Sequence, residues 1–214
     1  AGKHWTPEAG TPQGGVLSPL LANLYRDPLD HAMAQAGYEM VRYADDFVIR
    51  CRSEEEAQRA LEQVRQWITQ AGRKLHADKP RLVKAQQTGG FDFLGSHFER
   101  SYRGPRKKSA QKLKATIRAQ TKRTNGHSLP TIILDVNRTV KGWFEYFKHS
   151  HKTTCPSLDS WVRMRLRSIL RNRTGLKGRG RGADHQRWPH AFFQGHGLYS
   201  MTAAHALLRQ SSCR

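Results

Sequence analysis

Residues 39–50 read EMVRYADDFVIR, and the character of the chain turns on them. Two short runs rich in β-branched and aromatic residues, Glu39–Tyr43 and Phe47–Cys51, flank Ala44, Asp45 and Asp46. That pattern predicts a β-hairpin with acids at its tip. Neighbouring carboxylates in so small a volume repel one another unless a cation offsets them. Two-metal phosphoryl and nucleotidyl transfer needs such carboxylates, because they can hold divalent ions about 4 Å apart and orient an in-line attack. Asp is also a good turn former, so a bare pair of acids in a turn leaves both readings open.

Working outward from the hairpin, the preceding segment starts with a turn-rich loop at residues 11–15, Thr-Pro-Gln-Gly-Gly. Ser18 as N-cap and Pro19 at the first helical position predict a helix. Leu20, Leu21, Leu24, Leu29, Ala32, Met33 and Ala36 keep helical spacing, with a kink or interruption expected at Pro28 and an end at Gly37. Beyond the hairpin, Ser53 and Glu56 form a capping box. Behind it Ala57, Ala60, Leu61, Val64, Trp67, Ile68 and Ala71 trace one helical face that Gly72 closes. Arg81–Ala85 and Phe91–Phe98 read as further strands joined by a turn at Gly89 and Gly90, so the first block is an antiparallel sheet with helices packed on it.

Charge divides the chain. Its 214 residues carry 37 Lys and Arg against 17 Asp and Glu, a net +20 that favours an anionic partner, nucleic acid first. Residues 1–99 hold 12 of these cations and 13 acids, whereas residues 100–214 hold 25 cations and 4 acids. A boundary is therefore expected near Arg100, giving domains 1–100 and 101–214. In the second block Val136, Val140, Trp143, Phe144 and Phe147 line one side of a helix. A second helix, from about Leu158 to Arg171, alternates Trp161, Val162, Leu166, Ile169 and Leu170 with Arg163, Arg165, Arg167 and Arg171. Residues 175–182, GLKGRGRG, suit a flexible loop that hugs a nucleic-acid backbone.

Other classes drop out. No run of about 18 apolar residues exists to span a bilayer, and the opening AGKHWTPEAG lacks the pattern of a secretion signal. Three widely spaced Cys assemble neither a disulfide framework nor a paired-Cys zinc site, and His185, His190 and His196 lack metal-ligand spacing. A cytoplasmic setting is expected, and the start at Ala1 is read as that of a piece of a longer chain.

The motifs resemble a known family. Tyr43, Ala44, Asp45 and Asp46, between Val41 and Phe47, Val48 and Ile49, look like the YADD box of reverse transcriptases. Residues 10–24, GTPQGGVLSPLLANL, resemble the block that precedes it in group II intron-encoded proteins, and residues 74–79, KLHADK, and 91–98, FDFLGSHF, resemble the blocks that follow. Pro80 stands where that family has Thr after Lys79. Residues 134–147, LDVNRTVKGWFEYF, 158–170, LDSWVRMRLRSIL, and 184–189, DHQRWP, are similar to the thumb or maturase domain of the same family.

The resemblance implies an α+β fold, a partial polymerase palm followed by an all-α basic thumb or maturase domain. It implies an RNA-directed DNA polymerase and intron-RNA maturase of a bacterial ribonucleoprotein, working with group II intron RNA, an RNA template and primer, a DNA target and deoxynucleotides. Asp45 and Asp46 would ligate two Mg²⁺ ions, with Tyr43 beside the primer end and Ala44 beside the nucleotide. Gln13 and Gly14, with Gly15, would position template and nucleotide, and Lys79 would offer a proton or a positive charge to the leaving pyrophosphate. Phe93, Leu94 and Gly95 would neighbour the primer grip. The family's palm takes a further Asp from an upstream strand and basic nucleotide contacts from the fingers, so this chain alone is expected to be inactive and to need a missing N-terminal half. The alternative is a non-catalytic RNA-binding maturase fragment that assists splicing. Arg163, Arg165, Arg167, Arg171, Arg179 and Arg181 are the expected contacts to RNA phosphates, and Trp143, Phe144, Trp161 and Trp188 are candidates to stack on bases.

Overall fold

A computed structural model describes residues 15–72, 81–84 and 88–211. Two compact units, Ala1–Lys84 and Ala85–Arg214, make up the chain.

The first unit contains helix α1 (Ser18–Gln35), strands β1 (Glu39–Tyr43) and β2 (Asp46–Arg50), and helix α2 (Glu54–Gln70). Helix α1 runs through Pro28 without the expected interruption, with Leu17 rather than Ser18 as its cap. It ends where Gly37, at φ +82°, turns the chain left-handed. There the Gly37 and Tyr38 amides donate to the Ala34 and Met33 carbonyls, the paired bonds of a Schellman motif. Strands β1 and β2 pair antiparallel from Glu39 opposite Arg50 to Tyr43 opposite Asp46, so only Ala44 and Asp45 form the turn and Asp46 already belongs to the strand. Because opposed residues share a face, Met40, Arg42, Phe47 and Ile49 point inward, while Tyr43 and Asp46 share the exposed side. The inward residues cover a small core of Leu29, Met33, Ala60 and Val64.

The Ser53 hydroxyl caps α2 by accepting the Glu56 amide at 3.2 Å. The Glu56 carboxylate reaches back one residue further than a standard box, to the Arg52 amide at 2.5 Å. Only Leu29 and Met33 of the expected α1 stripe are buried, and Leu20, Leu21 and Leu24 stand 45–62% exposed. Residues 81–84 form no strand, contrary to expectation, and Ala85 lies outside the described residues.

The second unit opens with a three-stranded antiparallel sheet of β3 (Phe91–Phe93), β4 (Ser96–Glu99) and β5 (Tyr102–Pro105). Residues 91–98, expected as one strand, are thus a tight hairpin turning at Leu94 and Gly95, which have φ +46° and +76°. A pair of residues at positive φ matches the right-handed twist of the strands. Arg100, the expected boundary, sits in the next turn at φ +51°. The unit is therefore not purely helical: this sheet is fastened to helices α3 (Lys107–Gln120) and α4 (Leu129–Phe147). The Arg106 amide and Ser109 hydroxyl donate to the Gly95 carbonyl, both at 3.0 Å, and the Tyr146 hydroxyl donates to the Leu94 carbonyl at 2.6 Å.

Helices α5 (Thr154–Arg173), α6 (Ala183–Arg187), α7 (His190–Gly195) and α8 (Met201–Ser211) complete the unit. Ile117 of α3, Val136, Val140 and Phe144 of α4, Leu166 and Ile169 of α5, Phe193 of α7 and Met201 of α8 form its core. Helix α3 is absent from the expectations, although Leu113 and Ile117 are buried at the i, i+4 spacing of an amphipathic helix. Leu166 is fully buried, so Leu166→Ala should lower the stability of this unit by about 2–5 kcal/mol. Leu20→Ala in α1 should change stability by no more than about 0.5 kcal/mol. Urea unfolding followed by circular dichroism checks both.

Candidate active site and nucleic-acid interface

The acidic tip is held from behind. Arg42 lies on the inward face of β1, and its guanidinium makes a fork to Asp30 of α1: Nε to Oδ1 at 2.8 Å and Nη2 to Oδ2 at 2.5 Å. The remaining Nη1 donates to the Asn23 side-chain oxygen and to the Ala44 carbonyl, both at 3.2 Å. Asp30 accordingly holds the Arg42 guanidinium even more firmly protonated than usual. One side chain thus ties the turn to the helix. The turn needs such a tie, because Ala44 sits at φ +52°, a region that disfavours a residue with a Cβ.

At the tip itself Asp45 is 80% exposed at its side chain, and its Oδ1 lies 2.5 Å from Nη2 of Arg26 on α1. Asp46 has no ion pair among the described residues. Tyr43, opposite Asp46, is 67% exposed. The structure therefore brings Tyr43, Ala44, Asp45 and Asp46 together on one solvent-facing tip. Gln13, Gly14 and Lys79, the other residues expected at this site, lie outside the described residues. Phe93, Leu94 and Gly95 belong to the second unit, where Leu94 and Gly95 form the turn held by Tyr146 and Ser109.

In the second unit the arginines of α5 divide into distinct roles. Arg165 donates from Nε to the Thr121 hydroxyl at 3.0 Å and from Nη2 to the Thr121 carbonyl at 2.6 Å, capping the C-terminus of α3. Arg167 is 3% exposed, donates to the Trp188 carbonyl at 2.9 Å and lies over the Phe193 ring. Arg171 donates to the Lys177 carbonyl at 3.0 Å and to the Asp184 carboxylate at 2.6 Å. Arg163 is partly buried beside a small cavity of about 40 Å³ that His190 and Ser200 also line, and its Nε finds no partner among the described residues. Burial lowers the pKa of Arg163, Arg165 and Arg167 from the usual arginine value. Arg165, Arg167 and Arg171 thus spend donors on the fold, whereas Arg179 and Arg181 are exposed.

The Gly-rich segment is shaped by the same arginines. A Cβ on Gly180 would come within 2.7 Å of the Arg167 side chain, so glycine is needed for that approach. Asp184 Oδ2 accepts the Arg181 amide at 2.9 Å as well as the Arg171 guanidinium. Two candidates for base stacking are core residues instead, since Trp188 is 8% and Phe144 2% exposed. Trp143 packs against the same core. Trp161 does so too, with the Lys114 and Arg118 cations over its ring.

A cationic surface missed at the level of single residues emerges around the α3–α4 connection. Arg118, Lys122, Arg123 and Arg173 are exposed there. Asn172 donates to the Arg123 carbonyl at 3.2 Å, and Arg173 to the Asn125 carbonyl at 3.3 Å and to that of His127. All six acids of residues 85–214 are engaged elsewhere. Asp92 and Glu99 flank His97, Asp135 pairs with Arg138, Glu145 with Lys148 and Asp184 with Arg171. Asp159, buried, accepts the Met201 and Thr202 amides and the Ser200 and Thr202 hydroxyls at the start of α8. The helix start absorbs its charge.

Two family models match the chain, the first running past Lys84 into the β3–β4 hairpin. Residues 2–98 match the model of the reverse transcriptase (RNA-dependent DNA polymerase) family, and residues 110–188 match that of the group II intron, maturase-specific domain. The chain belongs to the group II intron reverse transcriptase and maturase family. No curated protein matches it significantly. Reverse transcriptase and maturase domains imply RNA and other nucleic-acid partners, and reverse transcriptases generally use divalent metal ions. No helix among the described residues is long and apolar enough to cross a membrane.

Arg167→Ala strands the Trp188 carbonyl in the interior and should cost about 1–3 kcal/mol in unfolding free energy, measured by urea unfolding. The Arg181 amide, then the Arg171 guanidinium, hold the Asp184 carboxyl below its ordinary value of 3.8. Its contribution is complete above the unfolded carboxyl's pKa and fades as pH falls through the lower folded value. Hydrogen exchange at the Arg181 amide should accelerate on acidification below that range, beyond the change intrinsic to pH, and Asp184→Asn should remove this extra acceleration.

Proposed function

We propose that the first unit carries the metal-binding hairpin of an RNA-directed DNA polymerase and that the second grips group II intron RNA. The observation that carries the polymerase reading is the solvent-facing tip of Tyr43, Ala44, Asp45 and Asp46, fixed to α1 by Arg42. Two neighbouring carboxylates, one in a turn and one beginning a strand, are a donor set suited to hard divalent cations. Asp45 and Asp46 would hold the Mg²⁺ ions. Bound there, Mg²⁺ supplies charge neutralisation at the phosphates and makes the primer 3′-hydroxyl a better nucleophile. Tyr43 offers an exposed ring beside Asp46 to the primer's terminal sugar and base. Ala44 presents a side chain small enough for a nucleotide to approach the turn. Lys79 would give a proton to the departing pyrophosphate, and Gln13 and Gly14 would position template and nucleotide.

The maturase reading rests on a separate observation, the cationic surface of the second unit, whose acids are all engaged within the protein. Exposed Arg179 and Arg181, with Arg118, Lys122, Arg123 and Arg173, would contact RNA phosphates. Arg165, Arg167 and Arg171 support the same surface by ordering the segments that carry it, and Arg163 adds its charge beside them.

The two halves of the proposal separate by experiment. With fingers and the upstream palm Asp supplied, Asp45→Ala with Asp46→Ala should reduce primer extension on an RNA template on the order of 10³-fold or more, since several kcal/mol of charge stabilisation is removed. Intron RNA affinity in a filter-binding assay should be unchanged by the same substitutions. Replacing Lys122, Arg123, Arg179 and Arg181 by Gln should weaken RNA binding and make log K less steep against log salt, by about 0.7–0.9 for each phosphate that the protein ceases to neutralise. RNA binding that followed the aspartates instead would overturn this division of labour.

A further inference from the structure

The ion pair at the tip of the hairpin is not needed to hold the hairpin, which Arg42 already fastens. Arg26 reaches from α1 and places Nη2 2.5 Å from Oδ1 of Asp45. Its own side chain is only 20% exposed, whereas that of Asp45 is 80% exposed. The second terminal nitrogen, Nη1, is buried and has no hydrogen-bond partner among the described residues. An orphaned buried donor is unfavourable, so this guanidinium is held at the tip chiefly by its attraction to one carboxylate.

We propose that Arg26 is a resident counter-cation of Asp45, which must release that carboxylate before a divalent metal ion can use it. The inference rests on the reading of Asp45 and Asp46 as metal ligands. With both aspartates ionised and Arg26 in place, the tip keeps one net negative charge and still attracts a cation. Once a divalent ion neutralises the two carboxylates, the guanidinium no longer faces net negative charge and loses the attraction that held it. Helix α1 need not move, because Asp30 and Asn23 remain bound to Arg42. Arg26 thus lowers the metal affinity of the tip while sparing it the repulsion of adjacent bare carboxylates.

The test is a Mn²⁺ titration of the 214-residue chain, followed by water-proton relaxation, with Arg26→Gln, Asp45→Asn and Asp46→Asn as variants. Arg26→Gln should tighten Mn²⁺ binding about two- to fivefold, the range an exposed ion pair spans, and each Asn variant should weaken it. Unchanged or weaker binding by Arg26→Gln, with the Asn variants still weakened, would overturn the role of Arg26 and leave the metal-site reading standing. Mn²⁺ binding indifferent to Asp45 and Asp46 would overturn both. A second measurement needs no substitution: in the parent protein, diamagnetic Mg²⁺ should shift the ¹⁵N side-chain resonances of Arg26 and leave those of Arg42 in place. An Arg26 signal that ignores saturating Mg²⁺ would sink the proposal even if Arg26→Gln failed to fold.

Discussion

The fork between Arg42 and Asp30 is the constraint on which the first unit turns. A two-stranded ribbon is marginal by itself, and this one has a non-glycine residue at positive φ in its turn. Arg42 uses Nε and Nη2 on Asp30, leaving Nη1 to hold the Ala44 carbonyl and the Asn23 side chain. Helix, strand and turn are thereby coupled through one rigid planar group, which a lysine's single ammonium could not replace. The carboxylates inherit their position from that coupling.

In the second unit the same residue type works differently. Arginines on α5 reach carbonyls at the end of α3, in the Gly-rich segment and beside Trp188. These bonds satisfy backbone groups that regular structure leaves open. A helix that reads as a basic surface is thus largely an internal brace, and the exposed charge is carried by the connections it braces.

Much of this was legible in the sequence, and the failures have physical causes. The hairpin, the Ser53 cap and the cores of α4 and α5 follow from alternation, capping chemistry and helical period. Alternation cannot reveal a turn inside an apolar run, so residues 91–98 read as one strand although Leu94 and Gly95 reverse the chain. Helix α3 was hidden because its Lys and Arg dominate the segment and only Leu113 and Ile117 are buried. The count of cations located the surplus charge in the second half of the chain. It could not distinguish Arg167, buried against Trp188, from Arg179, in solvent, because that distinction depends on contacts distant in sequence. The position of Asp45 and Asp46 at the hairpin tip was legible and the Arg26 contact was not: nothing local links a helix residue to a turn 19 positions later.

With each of its six acids engaged inside the unit, the second half of the protein has no spare anion to set against its exposed cations. Small anions from the solvent must gather around it, and a polyphosphate chain displaces them with a gain in mixing entropy. Much of the drive to associate therefore resides in the released ions. Phosphate-rich buffers and competing bulk RNA will act on this protein as ligands, and purification will tend to yield it with nucleic acid attached.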